Sequence, residues 1–468
     1  MTAQWGKIKL SEIINPVRGS LISGDLSTLP SGLSTDTRDI RPGEIFLALR
    51  GEKFDGHCFV SKAIEKGASC VILEDEACFP ADSKSAVIKV EDSLEALGDL
   101  AAYWRSGYDV PVVSITGSMG KTTTKEMTSC ILEVGKETLK NSGNFNNLIG
   151  LPLTLLKLDS SHERVVLEMG MNRPGEIARL TEISDPDIGL ITNIGPVHLE
   201  GVKDIAGVAK AKTEMIDGIR PESRVILFGD DRFLMREVSR FNRDFFTFGL
   251  KPENDLWAAD IEDAGENGIS YTLRYEDEAV PVRLNVPGHH NLVNSLAAAS
   301  VAVCLKESFE NIRNGLGRFK GLKGRLIPEI LPGDIILLDD TYNSNPSSLK
   351  AALSVAVKIA AKGKRIIAGL GDMLELGDET EHAHIEAGRM VAETGIFSFF
   401  AMGANAGLMI EGALEKGFPS ERALEVSSHS EMVEEISSVM GKGDLILLKG
   451  SRLIGLDKVA QGLRKQGE

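Results

Sequence analysis

The residues with the clearest chemistry are Ser114-Ile-Thr-Gly-Ser-Met-Gly-Lys-Thr-Thr-Thr124. An apolar run, residues 110–115, leads into them, and Lys125-Glu-Met-Thr-Ser-Cys-Ile-Leu132, with helical spacing, follows. Strand, glycine loop and helix in that order make a phosphate cradle. Gly117 and Gly120 let backbone N–H groups turn inward, Lys121 can reach the β- and γ-phosphates, and the Thr122 hydroxyl can hold Mg²⁺. Thr116, Ser118, Met119 and Thr123 complete the set expected around ATP. Only Ser118 and Met119 separate the two glycines, where the usual phosphate loop has four residues. The short loop argues against an ordinary GTPase or motor ATPase.

Other chemistry falls at strand ends. Glu168 closes the β-type run 164–168, and in an open α/β sheet the carboxyl ends of strands form the ligand crevice. A carboxylate there can bind Mg²⁺ directly or through water, whereas without the phosphate loop it would read as a solvated charge. His198, in Thr192-Asn-Ile-Gly-Pro-Val-His-Leu-Glu-Gly201, is by its own chemistry a loop histidine, because Mg²⁺ prefers oxygen. Lys212 lies on a helical stretch. It reads either as a surface charge or as an amine that adds CO₂ to become a carbamate for a second Mg²⁺, with Lys210 as the competing position.

Amides and charges supply the remaining candidates. Asn144, Asn146 and Asn147 precede an apolar helix; turn and cap roles would account for one or two of them, and sugar or peptide recognition for the rest. Asn291 and Asn294, one turn apart at a helix start, share a face that could read a base edge. Asp340 follows a strand and could bond a ribose hydroxyl. Arg325 and Arg452 could supply charge to a transferring phosphoryl group or a substrate carboxylate. In the first third, Ser34-Thr-Asp-Thr-Arg38 and Phe54-Asp-Gly-His57 are polar turns of ordinary appearance.

The elements that must position these groups alternate. In the first third, 44–49 and 68–73 read as strands, 60–66 and 93–105 as helices. From 110 onward, apolar β-branched runs (164–168, 188–194, 223–228) separated by helices imply a mainly parallel sheet covered on both faces. A more antiparallel patch, roughly 270–286, interrupts it, and helix 291–305 leads to a glycine-rich joint, 315–324. The last third alternates strands 334–339, 365–370 and 444–448 with helices 347–361, 381–394 and 430–439. That pattern is Rossmann-like but lacks Gly-x-Gly-x-x-Gly, so no dinucleotide is expected there.

Bulk properties bound the reading. The 468 residues suggest about three domains. A net charge of −16 makes nucleic acid an unsuitable bulk partner. No signal peptide or membrane span is read, and five scattered cysteines fit reduced thiols in the cytoplasm.

Taken in order, these motifs resemble the Mur ligase family over almost the whole chain. The shared features are the short phosphate loop, the Glu168 strand end, His198, Lys212 and the His290-Asn-x-x-Asn294 segment. Ser34-Thr-Asp-Thr-Arg38, Phe54-Asp-Gly-His57, Asn144-Phe-Asn-Asn147, Asp340-Thr-Tyr-Asn-Ser-Asn-Pro346, Gly371-Asp-Met-Leu-Glu-Leu-Gly377 and Lys449-Gly-Ser-Arg452 point to the branch that adds D-alanyl-D-alanine.

The resemblance implies three α/β domains: a small mixed α/β N-terminal domain (1–107) binding the UDP-muramoyl peptide, a central phosphate-loop, parallel-sheet ATPase-like domain (108–316), and a C-terminal Rossmann-like domain (317–468) binding the amino substrate. It implies an ATP-dependent, Mg²⁺-requiring amide ligase that joins D-Ala-D-Ala to UDP-N-acetylmuramoyl-tripeptide through an acyl phosphate. The enzyme would be a cytoplasmic monomer with no integral membrane segment. Lys121, Glu168, His198 and Lys212 are the implied catalytic residues, with Thr122, Glu168, His198 and carbamylated Lys212 as metal ligands. Ser34, Thr35, Asp36, Arg38, Asp55, His57, Asn144, Asn146, Asn147, Tyr342, Asn343, Asn345 and Arg452 would contact substrate. Met119 stands where relatives often have a small residue, and its side chain is expected to point away from the phosphates. Tyr342 stands where some relatives that add single amino acids have lysine. The competing readings are another ligase of the superfamily, such as a folylpolyglutamate synthetase, and a nucleotide-dependent switch or transport ATPase.

Overall fold

The structure, a computed structural model, describes residues 4–51, 54–79, 83–196, 204–361 and 363–466. His198 lies outside the described residues. Three sheets organise the chain, giving the α/β, three-domain architecture expected. The first has five strands in the order Ser20–Ser23, Ala86–Lys89, Cys70–Leu73, Ile45–Leu47, Leu33–Ser34, all parallel except the first. Alternation along its strands splits the side chains between two cores. Phe46, Val71 and Val87 face Val60 and Ala63 of helix Val60–Glu65, while Ile45, Leu47, Ile72 and Ile88 face the other way.

That second face does not close on the first domain alone. Its cluster includes Leu97, Leu100 and Trp104 of helix Ser93–Ser106 and continues into Leu151, Leu155, Val165, Leu167 and Ile177 of the central sheet and its helices. Asp92 starts the bridging helix, its carboxylate accepting the N–H groups of Leu94 and Glu95.

The central sheet has nine strands, with Val112–Thr116 between Arg164–Glu168 and Ile188–Ile191. Seven strands run parallel. The antiparallel patch begins earlier than the sequence suggests: Leu256–Asp263 joins the parallel array on one edge and pairs antiparallel with Ile269–Tyr275 on the other, and Glu278–Leu284 completes it. From Val112–Thr116 the chain moves first to one side of the sheet and later to the other. The loops after Val112–Thr116, Arg164–Glu168 and Ile188–Ile191 therefore open together at a switch point, where α/β sheets hold ligands.

The expected glycine-rich joint is in part a helix, Phe309–Arg318, because Gly315 is a packing residue. A Cβ there would lie 2.4 Å from the Ile131 Cα on the phosphate-loop helix. The C-terminal sheet runs Ile327–Leu331, Ile335–Asp340, Leu445–Lys449, Ile366–Gly371, Ser398–Met402, Ala423–Glu425, parallel except for its first strand. Among the described residues no helix is long and apolar enough to cross a membrane, and all five cysteines are unpaired.

Candidate active site

One cavity of about 770 Å³ lies between the central and C-terminal domains. Ser118 to Thr123, Asn144, Asn146, Asn147, Glu168, Asn291 and Asn294 line it from one side. Arg325, Asp340, Tyr342, Asn343, Asn345 and Arg452 line it from the other. The N-terminal candidates Ser34, Thr35, Asp36, Arg38, Asp55 and His57 are not part of this lining.

The phosphate loop is shaped by contacts that only glycine allows. Gly117 has φ +138°, and a Cβ on it would meet Thr192 Oγ1 at 2.0 Å. Gly120 has φ +80°, with Asn294 Oδ1 at 2.2 Å from the same construction. Thr116 lies under the loop, donating to the Met169 carbonyl at 3.1 Å. Asn193 grips the outer turn. The Ser118 N–H donates to its carbonyl and the Met119 N–H to its Oδ1, at 3.0 and 2.9 Å, while its Nδ2 donates to the Met119 carbonyl.

The amides of Ser118 and Met119 are thus engaged within the protein. The helix Lys121–Leu132 starts at Gly120 without a side-chain cap, and its first-turn N–H groups are the free donors for an anion. Lys121 donates from Nζ to the carbonyls of Gly117 and Ser118, at 2.8 and 3.2 Å. Burial lowers its pKa, opposed by the charge of Glu168.

Glu168 is 3% exposed. Its Oε1 accepts from Asn146 Nδ2 at 2.8 Å, and its Oε2 is buried with no partner among the described residues. Lys212 Nζ is likewise buried without a partner among the described residues. Desolvation, and then the charge of Lys121, push its pKa well below the usual lysine value, while Glu168 pulls the other way. Lys210 is exposed. An orphan carboxylate oxygen beside a phosphate loop, with the Thr122 hydroxyl on the same wall, is a donor set of the hard oxygen kind that suits Mg²⁺.

The amides divide by role. Asn147 Oδ1 accepts the Ile149 and Gly150 N–H groups at the entry to helix Gly150–Leu155, and Asn146 orients Glu168. Asn144 is exposed at the cavity. Asn291 donates to the Pro287 carbonyl at 2.7 Å, and Asn294 lies against Thr124 at 3.5 Å. Asn345 is the N-cap of helix Pro346–Ala360, closed by a reciprocal bond with Ser348. Asn343 Oδ1 accepts the Ser344 N–H and its carbonyl accepts from Lys449.

One oxygen of Asp340 is engaged: Lys449, 1% exposed, donates to its Oδ2 at 2.5 Å. Lys449 was not among the sequence candidates, although it opens the Lys449-Gly-Ser-Arg452 motif. Two guanidinium groups lie over the Tyr342 ring, Arg325 at 4.1 Å and Arg452 at 5.2 Å from its centre. Arg325 also donates to Thr122 Oγ1.

In the first domain Asp36 pairs with Arg38 at 2.6 Å, and their hydrogen bonds hold its pKa down at about 2. Ser34 Oγ bonds the Asp36 backbone, and Thr35 is half-buried beside it. His57 is committed inside the domain: Nδ1 meets Asp55 Oδ1 at 2.6 Å and Nε2 accepts the Glu74 N–H at 3.0 Å.

Models of Mur ligase domains match along the chain: "Mur ligase family, catalytic domain" over residues 30–105, "Mur ligase middle domain" over 115–302 and "Mur ligase, glutamate ligase domain" over 324–452. The chain belongs to the Mur ligase family. It is 34% identical to the UDP-N-acetylmuramoyl-tripeptide–D-alanyl-D-alanine ligase of Bacillus subtilis, covering 98% of both chains. It is also 34% identical to the Escherichia coli protein of the same name, over 98% of this chain and 99% of that one. Among solved structures, a crystal structure of MurF from Acinetobacter baumannii superposes with a TM-score of 0.89 at 31% identity, covering 98% of each chain. MurF from Thermotoga maritima in complex with ADP gives 0.83 at 27% identity, covering 93% of this chain and 97% of that one.

Proposed function

We propose that this chain is an ATP-dependent amide ligase that joins D-alanyl-D-alanine to UDP-N-acetylmuramoyl-tripeptide, giving the UDP-muramoyl-pentapeptide precursor of peptidoglycan, ADP and phosphate. The observation that carries this reading is one cavity in which an uncapped phosphate loop, a strand-end carboxylate and the cationic groups of a second domain converge. This reading takes the protein as a monomer, and the use of ATP fits the cytoplasm.

A carboxylate is a poor acyl donor to an amine, so it is first activated. An oxygen of the tripeptide carboxylate attacks the γ-phosphorus of ATP, the bond to the β,γ-bridging oxygen breaks, and ADP and an acyl phosphate result. The uncharged amine of the dipeptide then attacks the acyl carbon, the carbon–oxygen bond to phosphate breaks, and the amine proton leaves to solvent.

Two anions meet in the first step, so positive charge is the main demand on the protein. Lys121 and the first-turn N–H groups of its helix bind phosphoryl oxygens, and Arg325 and Arg452 bring guanidinium groups from the facing wall. Magnesium held by Thr122 and Glu168 would neutralise phosphate charge when bound. Burial lowers the pKa of Lys212, which favours the free amine form that adds CO₂, its lone pair forming the N–C bond as a proton departs. The resulting carbamate would be a second carboxylate for a second magnesium. Lys449 holds Asp340 for the ribose, and Ser34, Thr35, Asp36, Arg38, Asp55 and His57 are the first-domain residues that would bind the UDP-muramoyl end.

The test is phosphate release from ATP and Mg²⁺. Release that needs both UDP-muramoyl tripeptide and D-Ala-D-Ala, with the pentapeptide seen by mass, is the expected result. Release indifferent to both would overturn the ligase reading.

A further inference from the structure

The strand end that carries Glu168 is held by a side chain to which no role has been given above. Asn141, 2% exposed, follows the edge strand Thr138–Lys140. Its Oδ1 accepts the Glu168 N–H at 2.9 Å, and its Nδ2 donates to the Glu168 carbonyl at 2.9 Å. The side-chain amide thus pairs with the Glu168 backbone as one more strand residue would, where the edge strand has ended. The same Nδ2 donates to the Phe145 carbonyl at 2.8 Å, which fixes the loop from which Asn146 reaches Glu168 Oε1. On the other side Lys125, on the phosphate-loop helix and 1% exposed, donates from Nζ to the Asn141 carbonyl at 2.5 Å.

We propose that Asn141 is a positioning residue for the Glu168 carboxylate, and that Lys125 ties Asn141 to the phosphate-loop helix so that nucleotide loop and carboxylate keep one separation. The inference rests on reading Glu168 as a magnesium ligand. With the backbone clamped and Oε1 bonded to Asn146, only Oε2 is left to face a cation. Side chains that orient metal ligands in this way change metal affinity by about 10–100-fold when removed.

The experiment titrates Mg²⁺ against wild type, Asn141→Ala, Lys125→Met and Glu168→Gln. One readout is the Mg²⁺-dependent part of ADP binding by calorimetry, and the other is initial rate. Asn141→Ala is expected to raise half-saturating Mg²⁺ about tenfold or more, while ADP binding in EDTA and KM for D-Ala-D-Ala stay at wild-type values. Lys125→Met, which keeps the Asn141 side chain, is expected to shift the titration in the same direction. A titration of folded Asn141→Ala that overlays wild type overturns the proposal. If that variant fails to fold, an unshifted Lys125→Met does so instead. A Glu168→Gln titration that also overlays wild type would place the failure in the ligand reading; a shift in Glu168→Gln alone would place it in the positioning role.

Discussion

Arg325 Nη2 donates to Thr122 Oγ1 at 3.1 Å, joining the C-terminal domain to the phosphate loop across the cavity. The hydroxyl expected to hold a metal ion therefore already has a cationic partner, and the same guanidinium lies over the Tyr342 ring. Arg325→Ala is expected to lower kcat by about a hundredfold, the usual scale for removing one donor to developing charge, with less effect on KM for the dipeptide. Arg325→Lys keeps the charge but loses the planar stacking group, so it should fall between the two. Steady-state kinetics with each substrate varied in turn checks this.

Lys121→Ala is expected to remove turnover by at least about a hundredfold. Its Nζ now bonds the carbonyls of Gly117 and Ser118, so the substitution also frees two loop acceptors. ADP binding measured separately distinguishes a collapsed loop from a lost charge; activity at the wild-type rate would sink the phosphate-loop assignment.

Lys212→Ala should be inactive and partly rescued by short-chain carboxylic acids, which restore a carboxylate in the space the side chain leaves. Rescue of Lys210→Ala instead would move the carbamate to a side chain that is exposed in this structure.

His290, at the cavity wall, has its pKa lowered to about 4, chiefly by burial, with Asp340 opposing and Lys449 reinforcing. Its folded pKa lies below the ordinary 6.5, so between those values the unfolded chain binds the extra proton. Stability should therefore fall as pH drops from about 6.5 toward 4, and level off with respect to this group below that. His290→Gln is expected to flatten the fall in Tm across this window, read by thermal unfolding at a series of pH values.

The parts of the site set by local sequence were the legible ones. The phosphate loop declares itself through adjacent residues, and Glu168 through its place at a strand end. Asn345 and Asn147 line the cavity and also hold the start of a helix, two uses that composition alone does not separate; the bonds from the Ser348 and Gly150 N–H groups show the second. Lys449, quoted only as part of its motif, had no role of its own in the sequence because its partner Asp340 comes from a strand distant in the chain, and the two meet only once Leu445–Lys449 is known to lie beside Ile335–Asp340. Asn141 and Asn193 were missed for the same reason: each does its work on the backbone of a different strand-end loop. The early onset of the antiparallel edge at Leu256 could not be read from periodicity, since one strand there serves both kinds of neighbour.

The apolar interior shared by the first and central sheets bears on modularity. Trp104 of the bridging helix stacks on Trp5 at 4.3 Å, and the two indole N–H groups donate to the carbonyls of Leu158 and Leu156 in the central domain. The first sheet therefore cannot be excised as an independent module without baring its inner face, nor exchanged for a foreign one that does not bring its own matching helix. The C-terminal domain, whose two apolar clusters are its own, is the piece that a shuffled or truncated version of this chain could gain or lose with its fold intact.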